Sequence, residues 1–159
     1  MDAHPCPFCL KLKALNDLPD DELVWQFPHS IVLLGPWQFY RGYCMLVSQL
    51  HATELSQLPD PDRIGYFEDL CRLARAMEAC FQPHKLNYEL LGNQVGHLHW
   101  HVFPRYRSDP EHLKPVWLRL ERTEHDELER SRCLADPAAR GSTAAALRQA
   151  LNSMRAVQT

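Results

Sequence analysis

Between His97 and Phe103, imidazoles alternate with apolar side chains: His97, His99 and His101 take the odd positions, and Leu98, Trp100 and Val102 the even ones. Neighbouring side chains of a strand point to opposite faces, so this period of two predicts a strand with one histidine face and one apolar face. An apolar strand face has to be covered, which commits the chain to a sheet with a second layer packed on it. Earlier segments supply partners. Leu23–Phe27 and Ile31–Leu34 are β-rich runs separated by Pro28-His29-Ser30, and Tyr43–Ser48 follows Gly42 as a third, so the three read as an antiparallel meander. Leu86–Leu91 reads as a fourth strand and His97–Phe103 as the fifth. Pro104 is expected to end the fifth, because proline cannot donate to a ladder.

The covering layer is legible between 62 and 81. Ile64, Phe67, Leu70, Cys71, Ala74, Met77 and Phe81 recur at spacings of three and four, with Arg63, Glu68, Asp69, Arg72 and Arg75 on other faces. Pro61 suits a first helical turn and Pro83 follows the last one. Ser142–Leu151 is Ala-rich with a Ser or Thr cap and reads as a second helix. Residues 121–141 carry little readable pattern. Strands and helices segregate, so the class is α+β: about five antiparallel strands, one main packed helix and a C-terminal helical extension.

A chain of 159 residues is long enough for one core that needs no covalent staple. It has no apolar run of membrane-spanning length. Met1–Cys6 lacks the basic-then-apolar start of a secretion signal, so a cytoplasmic location is expected. Net charge is −3 with Lys and Arg scattered, which argues against binding a nucleic acid polymer and for a small substrate. The six cysteines then read as thiols, with Cys44, Cys71 and Cys80 in the core.

Three histidines on one face admit three readings. An exposed polar face would more often carry Thr, Lys or Glu. Alternating histidines can ligate zinc. A nucleophilic site accounts for more: imidazole titrates near neutrality, so one ring can attack phosphorus while a neighbour supplies a proton. Gly92-Asn93-Gln94-Val95-Gly96, just ahead of the run, offers backbone N–H groups and amides to phosphate oxygens.

The whole segment Gly92-Asn93-Gln94-Val95-Gly96-His97-Leu98-His99-Trp100-His101-Val102-Phe103-Pro104-Arg105-Tyr106 resembles the signature of the histidine-triad family: His-x-His-x-His followed by apolar residues, commonly preceded by Gly-Gln-x-Val-x. Gly42–Val47, His51, the helix from 62 and Asn87 also fall where that family has a strand, the following helix and core sheet, and Asp109–Trp117 resembles its bacterial branch similar to dinucleoside-polyphosphate hydrolases. The resemblance implies a histidine-triad domain over 1–118, with 119–159 an extension packed on it, and a homodimer paired across helix and sheet edge. It implies hydrolysis or transfer of a nucleotidyl group from a dinucleoside polyphosphate or nucleoside phosphoramidate. His99 would be the nucleophile forming a nucleotidyl-histidine, His101 would contact phosphate and leaving group, and His97 would orient the cluster. Asn93 and Gln94 would hold phosphate oxygens, and Asn87 would join the substrate contacts. Trp37 and Phe39 each read either as a ring that stacks on a base or as a core or dimer contact. Position 93 departs from the family's usual Gln, and no carboxylate lies in Leu33–Trp37, where the family commonly contacts ribose. No catalytic metal is implied. The alternative is a zinc-stabilised nucleotide-binding or regulatory module with little turnover.

Cys6-Pro7-Phe8-Cys9 can close on one metal or form a redox pair. A redox pair would need a βαβ context, which this N-terminal position lacks. Related triad proteins complete such a pair with a histidine after the third strand and the first triad histidine, implying Cys6, Cys9, His51 and His97 as a structural zinc set; otherwise the two are free thiols. His51 also suits a helix entry before Ala52-Thr53-Glu54-Leu55. His4, His29, His84, His112 and His125 read as surface residues.

Overall fold

The computed structural model describes residues 5–156. Five strands form one antiparallel sheet: β1 (Leu23–Gln26), β2 (Ser30–Leu34), β3 (Cys44–Ser48), β4 (Lys85–Glu89) and β5 (His99–Arg105), in the order β1-β2-β3-β5-β4. The meander β1–β2–β3 forms, its strands joined by a short turn (27–29) and a longer loop (35–43). Helix α2 (Asp60–Phe81) then crosses one face and delivers β4 to the outer edge, leaving the place beside β3 for β5. This insertion sets the register that matters: His99 faces Val47, and His101 sits between Met45 on β3 and Glu89 on β4.

Both sheet faces are covered. On one, Val32, Leu34, Leu46, Leu98 and Val102 pack against Tyr66, Leu70, Leu73 and Met77 of α2 and against Ala144, Leu147 and Leu151 of α5 (Pro137–Ala156). On the other, α1 (Pro7–Lys13) seats Phe8 over Ile31, Leu33 and Val47. Farther along this face, α3 (Val116–Arg122) and α4 (Glu127–Cys133) bring Val116, Leu120 and Cys133 onto Tyr40, Tyr43 and Phe103. Two-sided burial explains why β2 is apolar almost throughout and every residue of it is buried, without alternation.

The structure revises several sequence expectations. The buried face of α2 is rotated: Ile64 (62 % exposed) and Phe67 (41 %) point outward, while Asp69 is 1 % exposed. Asp69 is inside because it accepts hydrogen bonds from the Ser30 hydroxyl (2.9 Å) and the His29 backbone N–H (3.1 Å), satisfying a turn that α2 covers. Cys71 is exposed rather than core, Cys80 is partly buried, and Cys44 is buried as expected. His29 is tied down, its Nδ1 3.3 Å from Asp62, with its ring against Gly65. β5 continues through Pro104 to Arg105, because beyond Val102 only β4 lies beside it and no β3 ladder bond is lost. The unreadable stretch, 121–141, holds the end of α3, all of α4 and the start of α5. Charged groups supplement the apolar packing of α3 and α4: the Arg119 guanidinium lies 3.7 Å over the Phe39 ring, and Asp126 caps α4 by accepting from the N–H groups of Leu128 and Glu129. α5 docks through Arg140, which donates to Asp21 and to the Gly35 carbonyl. His4 lies outside the described residues. Among those described, no helix is long and apolar enough to cross a membrane.

Candidate active site and metal cluster

The strand begins at His99, not His97, and that difference separates the three histidines into two tasks. His97 lies just before β5, with its ring against α1, 5.8 Å from Phe8. Its Nε2–H donates to the Ser48 carbonyl (2.8 Å), which leaves the Nδ1 lone pair directed at Cys6 Sγ (3.5 Å), Cys9 Sγ (3.6 Å) and His51 Nδ1 (3.2 Å). His99 and His101 remain on the strand face, ring centroids 4.7 Å apart. The His99 Nδ1–H donates to the His97 carbonyl (2.7 Å), so Nε2 carries the lone pair. That Nε2 has no hydrogen-bond partner among the described residues and is not sealed from solvent. His97 thus meets the His99 ring through its backbone carbonyl. Burial depresses the pKa of both rings, that of His101 to about 4, so both are neutral at pH 7.

Packing fixes these rings from two sides. Phe8 approaches His99 at 4.8 Å, and Trp117 meets His101 edge-on at 5.3 Å. The Trp117 indole N–H donates to Glu89, the cross-strand neighbour of His101. Tyr43 Oη lies 2.7 Å from His101 Nδ1. Reading the sequence assigns none of these four a role in the site. The signal was the register: Tyr43, Met45 and Val47 share the β3 face opposite the histidines, but only pairing with β5 reveals it.

The remaining expected site residues are dispersed. Asn93 and Gln94 are exposed on the loop entering β5, with no side-chain hydrogen bond among the described residues. Asn87 lies on the histidine face opposite Phe103, where its Oδ1 accepts from Arg105 (2.7 Å). Trp37 packs against the Tyr40–Tyr43–Phe103 cluster. A cavity of about 560 Å³ beside β4 is lined by Asn87, Glu89 and Arg105; one of about 860 Å³ lies between β1, α2 and α5. No triad histidine lines either.

Cys6, Cys9, His51 and His97 each offer a ligand atom, all four within 4.8 Å of one another. Tetrahedral zinc with sulfur and imidazole ligands has donor–donor edges of about 3.3–3.8 Å, from Zn–S and Zn–N lengths of about 2.3 and 2.0–2.1 Å. The separations of Cys6 and Cys9 from His97, and of His51 from Cys9 (3.2 Å) and His97, lie close to that range. The Ser48 carbonyl presents His97 as a ligand in the way outer-shell acceptors orient metal-bound imidazoles. This cluster could bind a metal ion.

A family model of the HIT domain, the histidine-triad fold, matches residues 18–108, more than half of the chain. The chain belongs to the histidine-triad family. Among curated relatives, this histidine-triad chain is 30% identical over 109 residues to Protein hit of Bacillus subtilis, covering 65% of this chain and 73% of that protein. It is 25% identical over 124 residues to the adenosine 5'-monophosphoramidase HNT1 of Saccharomyces cerevisiae, covering 77% and 75%. Among solved structures, a zinc-bound histidine-triad protein from Mycobacterium smegmatis shares the fold with a TM-score of 0.69, at 21% identity over 96% of this chain and 97% of that one.

Proposed function

We propose that this histidine-triad protein hydrolyses or transfers a nucleotidyl group, with His99 as the nucleophile. The observation that carries the reading is the His99 Nδ1–H bond to the His97 carbonyl, which leaves a neutral, solvent-reachable Nε2 lone pair. In this scheme Nε2 attacks the α-phosphorus, a P–N bond to His99 forms, and the bond to the leaving group breaks with its electron pair. A polyphosphate departs as an anion; an amine takes a proton from water. Water then attacks the nucleotidyl-His99, gives up a proton and releases the nucleoside monophosphate. The yeast relative, an adenosine 5'-monophosphoramidase, supports a phosphoramidate substrate; the likeness of Asp109–Trp117 to the dinucleoside-polyphosphate branch supports the other class. Asn93, Gln94 and Asn87 remain proposed substrate contacts and Trp37 a proposed base contact.

Incubation with adenosine phosphoramidate and with diadenosine polyphosphates tests this directly. Wild type should release AMP from at least one, and mass spectrometry should find an adenylyl adduct on His99. Equal release by His99→Ala removes His99 from the role; no release from any substrate favours a nucleotide-binding module.

We further propose that Cys6, Cys9, His51 and His97 hold a structural zinc, whose chemistry is a cross-link between α1, the segment after β3 and the entry to β5. No step of the reaction passes through it. A cytoplasmic homodimer is the proposed assembly, its pairing supported by Ile64 and Phe67 exposed on α2, with Phe67 edge-on to Trp100, and by the position of β4 at the end of the sheet. Residues 119–159 are proposed to be an extension of the same unit, supported by the Arg119 and Arg140 contacts.

A further inference from the structure

We propose that Tyr43 is a positioning residue that locks His101 in the tautomer with its proton on Nε2, so that the third triad histidine meets the substrate as a neutral hydrogen-bond donor. The proposal deepens the nucleotidyl-transfer reading and rests on it for its catalytic consequence.

The phenol cannot swing away. Its ring stacks on Phe103 at 3.9 Å with planes 7° apart, and it also abuts Gly35, where an added Cβ would overlap the ring. Its own carbonyl accepts from the Gly35 N–H (2.9 Å) and the Gln38 side-chain amide (2.8 Å), and the residue is 2 % exposed. At the end of this held ring, Oη is 2.7 Å from His101 Nδ1, and no other hydrogen-bond partner of Oη occurs among the described residues. Two arrangements of neutral groups are available. If Nδ1–H donated to the phenol oxygen, the phenol proton would be left in the interior with no acceptor, a costly loss. If the phenol donates to Nδ1, both atoms of the contact are satisfied and the ring proton resides on Nε2, on the far side of the ring from Tyr43. Burial holds the phenol pKa far above its usual value, so its proton stays in place, and burial likewise opposes a charged His101.

Adjacent rings thus receive opposite tautomers from opposite kinds of partner. A carbonyl accepts a hydrogen bond from the His99 Nδ1–H and leaves Nε2 bare for attack; a hydroxyl donates a hydrogen bond to Nδ1 of His101 and leaves Nε2–H to donate. With Tyr43 unable to give up its proton, His101 acts by hydrogen bonding to a phosphoryl or leaving-group oxygen as charge develops there, not by proton transfer.

Long-range 1H–15N correlation spectra of 15N-histidine-labelled full-length protein at pH 7 test the assignment, with His101→Ala identifying the His101 signals. Wild type should show His101 protonated on Nε2 only. Tyr43→Phe, which keeps the ring stack, should convert it to a tautomer mixture and lower kcat about tenfold with KM changed less than threefold. A wild-type Nδ1–H tautomer overturns the proposal, as does a Tyr43→Phe protein with its Nε2 tautomer or its kcat unchanged. The wild-type spectrum decides the tautomer even if Tyr43→Phe does not fold. If wild type turns over no nucleotide at all, the function falls while the spectrum still judges the Tyr43–His101 pair.

Discussion

Acidification should destabilise this protein through His101 by an amount the structure sets. The ring lies among Tyr43, Phe103 and Trp117, and burial lowers its pKa to about 4, against 6.5 for an unperturbed imidazole. A folded-state pKa below the unfolded one means that the native state refuses a proton the unfolded chain accepts. Above about pH 6.5 neither state is protonated there and His101 adds no pH dependence. Between about 6.5 and 4 each pH unit removes about 1.4 kcal/mol of stability, reaching roughly 3 kcal/mol at pH 4. For a chain of this size that corresponds to a fall in Tm of roughly 10 °C. Urea unfolding of wild type and His101→Phe at pH 7, 6, 5 and 4 isolates the effect, because the other histidines titrate in both proteins. The unfolding free energy of wild type should fall relative to the variant as pH drops. A difference that stays constant from pH 7 to 4 would refute the reasoning.

Three further outcomes are expected. Gly35→Ala, whose methyl group would overlap the Tyr43 ring, should cost about 1–3 kcal/mol by overpacking and lower kcat with it, read by thermal unfolding and turnover. Asp69→Ala leaves the Ser30 hydroxyl and the His29 N–H without their acceptor and should destabilise by about 2–4 kcal/mol in urea; Asp69→Asn, which keeps one acceptor oxygen, should cost less. Protein purified without nickel should carry about one zinc per chain, and Cys9→Ser should lose the metal and melt at lower temperature; zinc far below one per chain in wild type would remove the site.

Local chemistry in the sequence determined the strands, the main helix and the identity of the chemical groups. A period of two at 97–103, a period near 3.6 at 62–81 and punctuating prolines are short-range signals, and each led to an element of the right type. The clustered histidines and the Cys-x-x-Cys pair were conspicuous for the same reason: their residue types are rare and close together. Which way each group faces was decided only by tertiary pairing. The alternation put three imidazoles on one strand face, yet β5 starts at His99, and the His97 ring instead bonds the Ser48 carbonyl and joins the Cys6–Cys9–His51 cluster. Tyr43, Phe8 and Trp117 reach the histidines across 58, 91 and 16 residues of chain, distances at which no periodicity carries information. Asp69 fell with Arg63, Glu68, Arg72 and Arg75 off the apolar face of the helical pattern; the turn that needs its carboxylate lies 39 residues away and meets it only after α2 packs on the sheet.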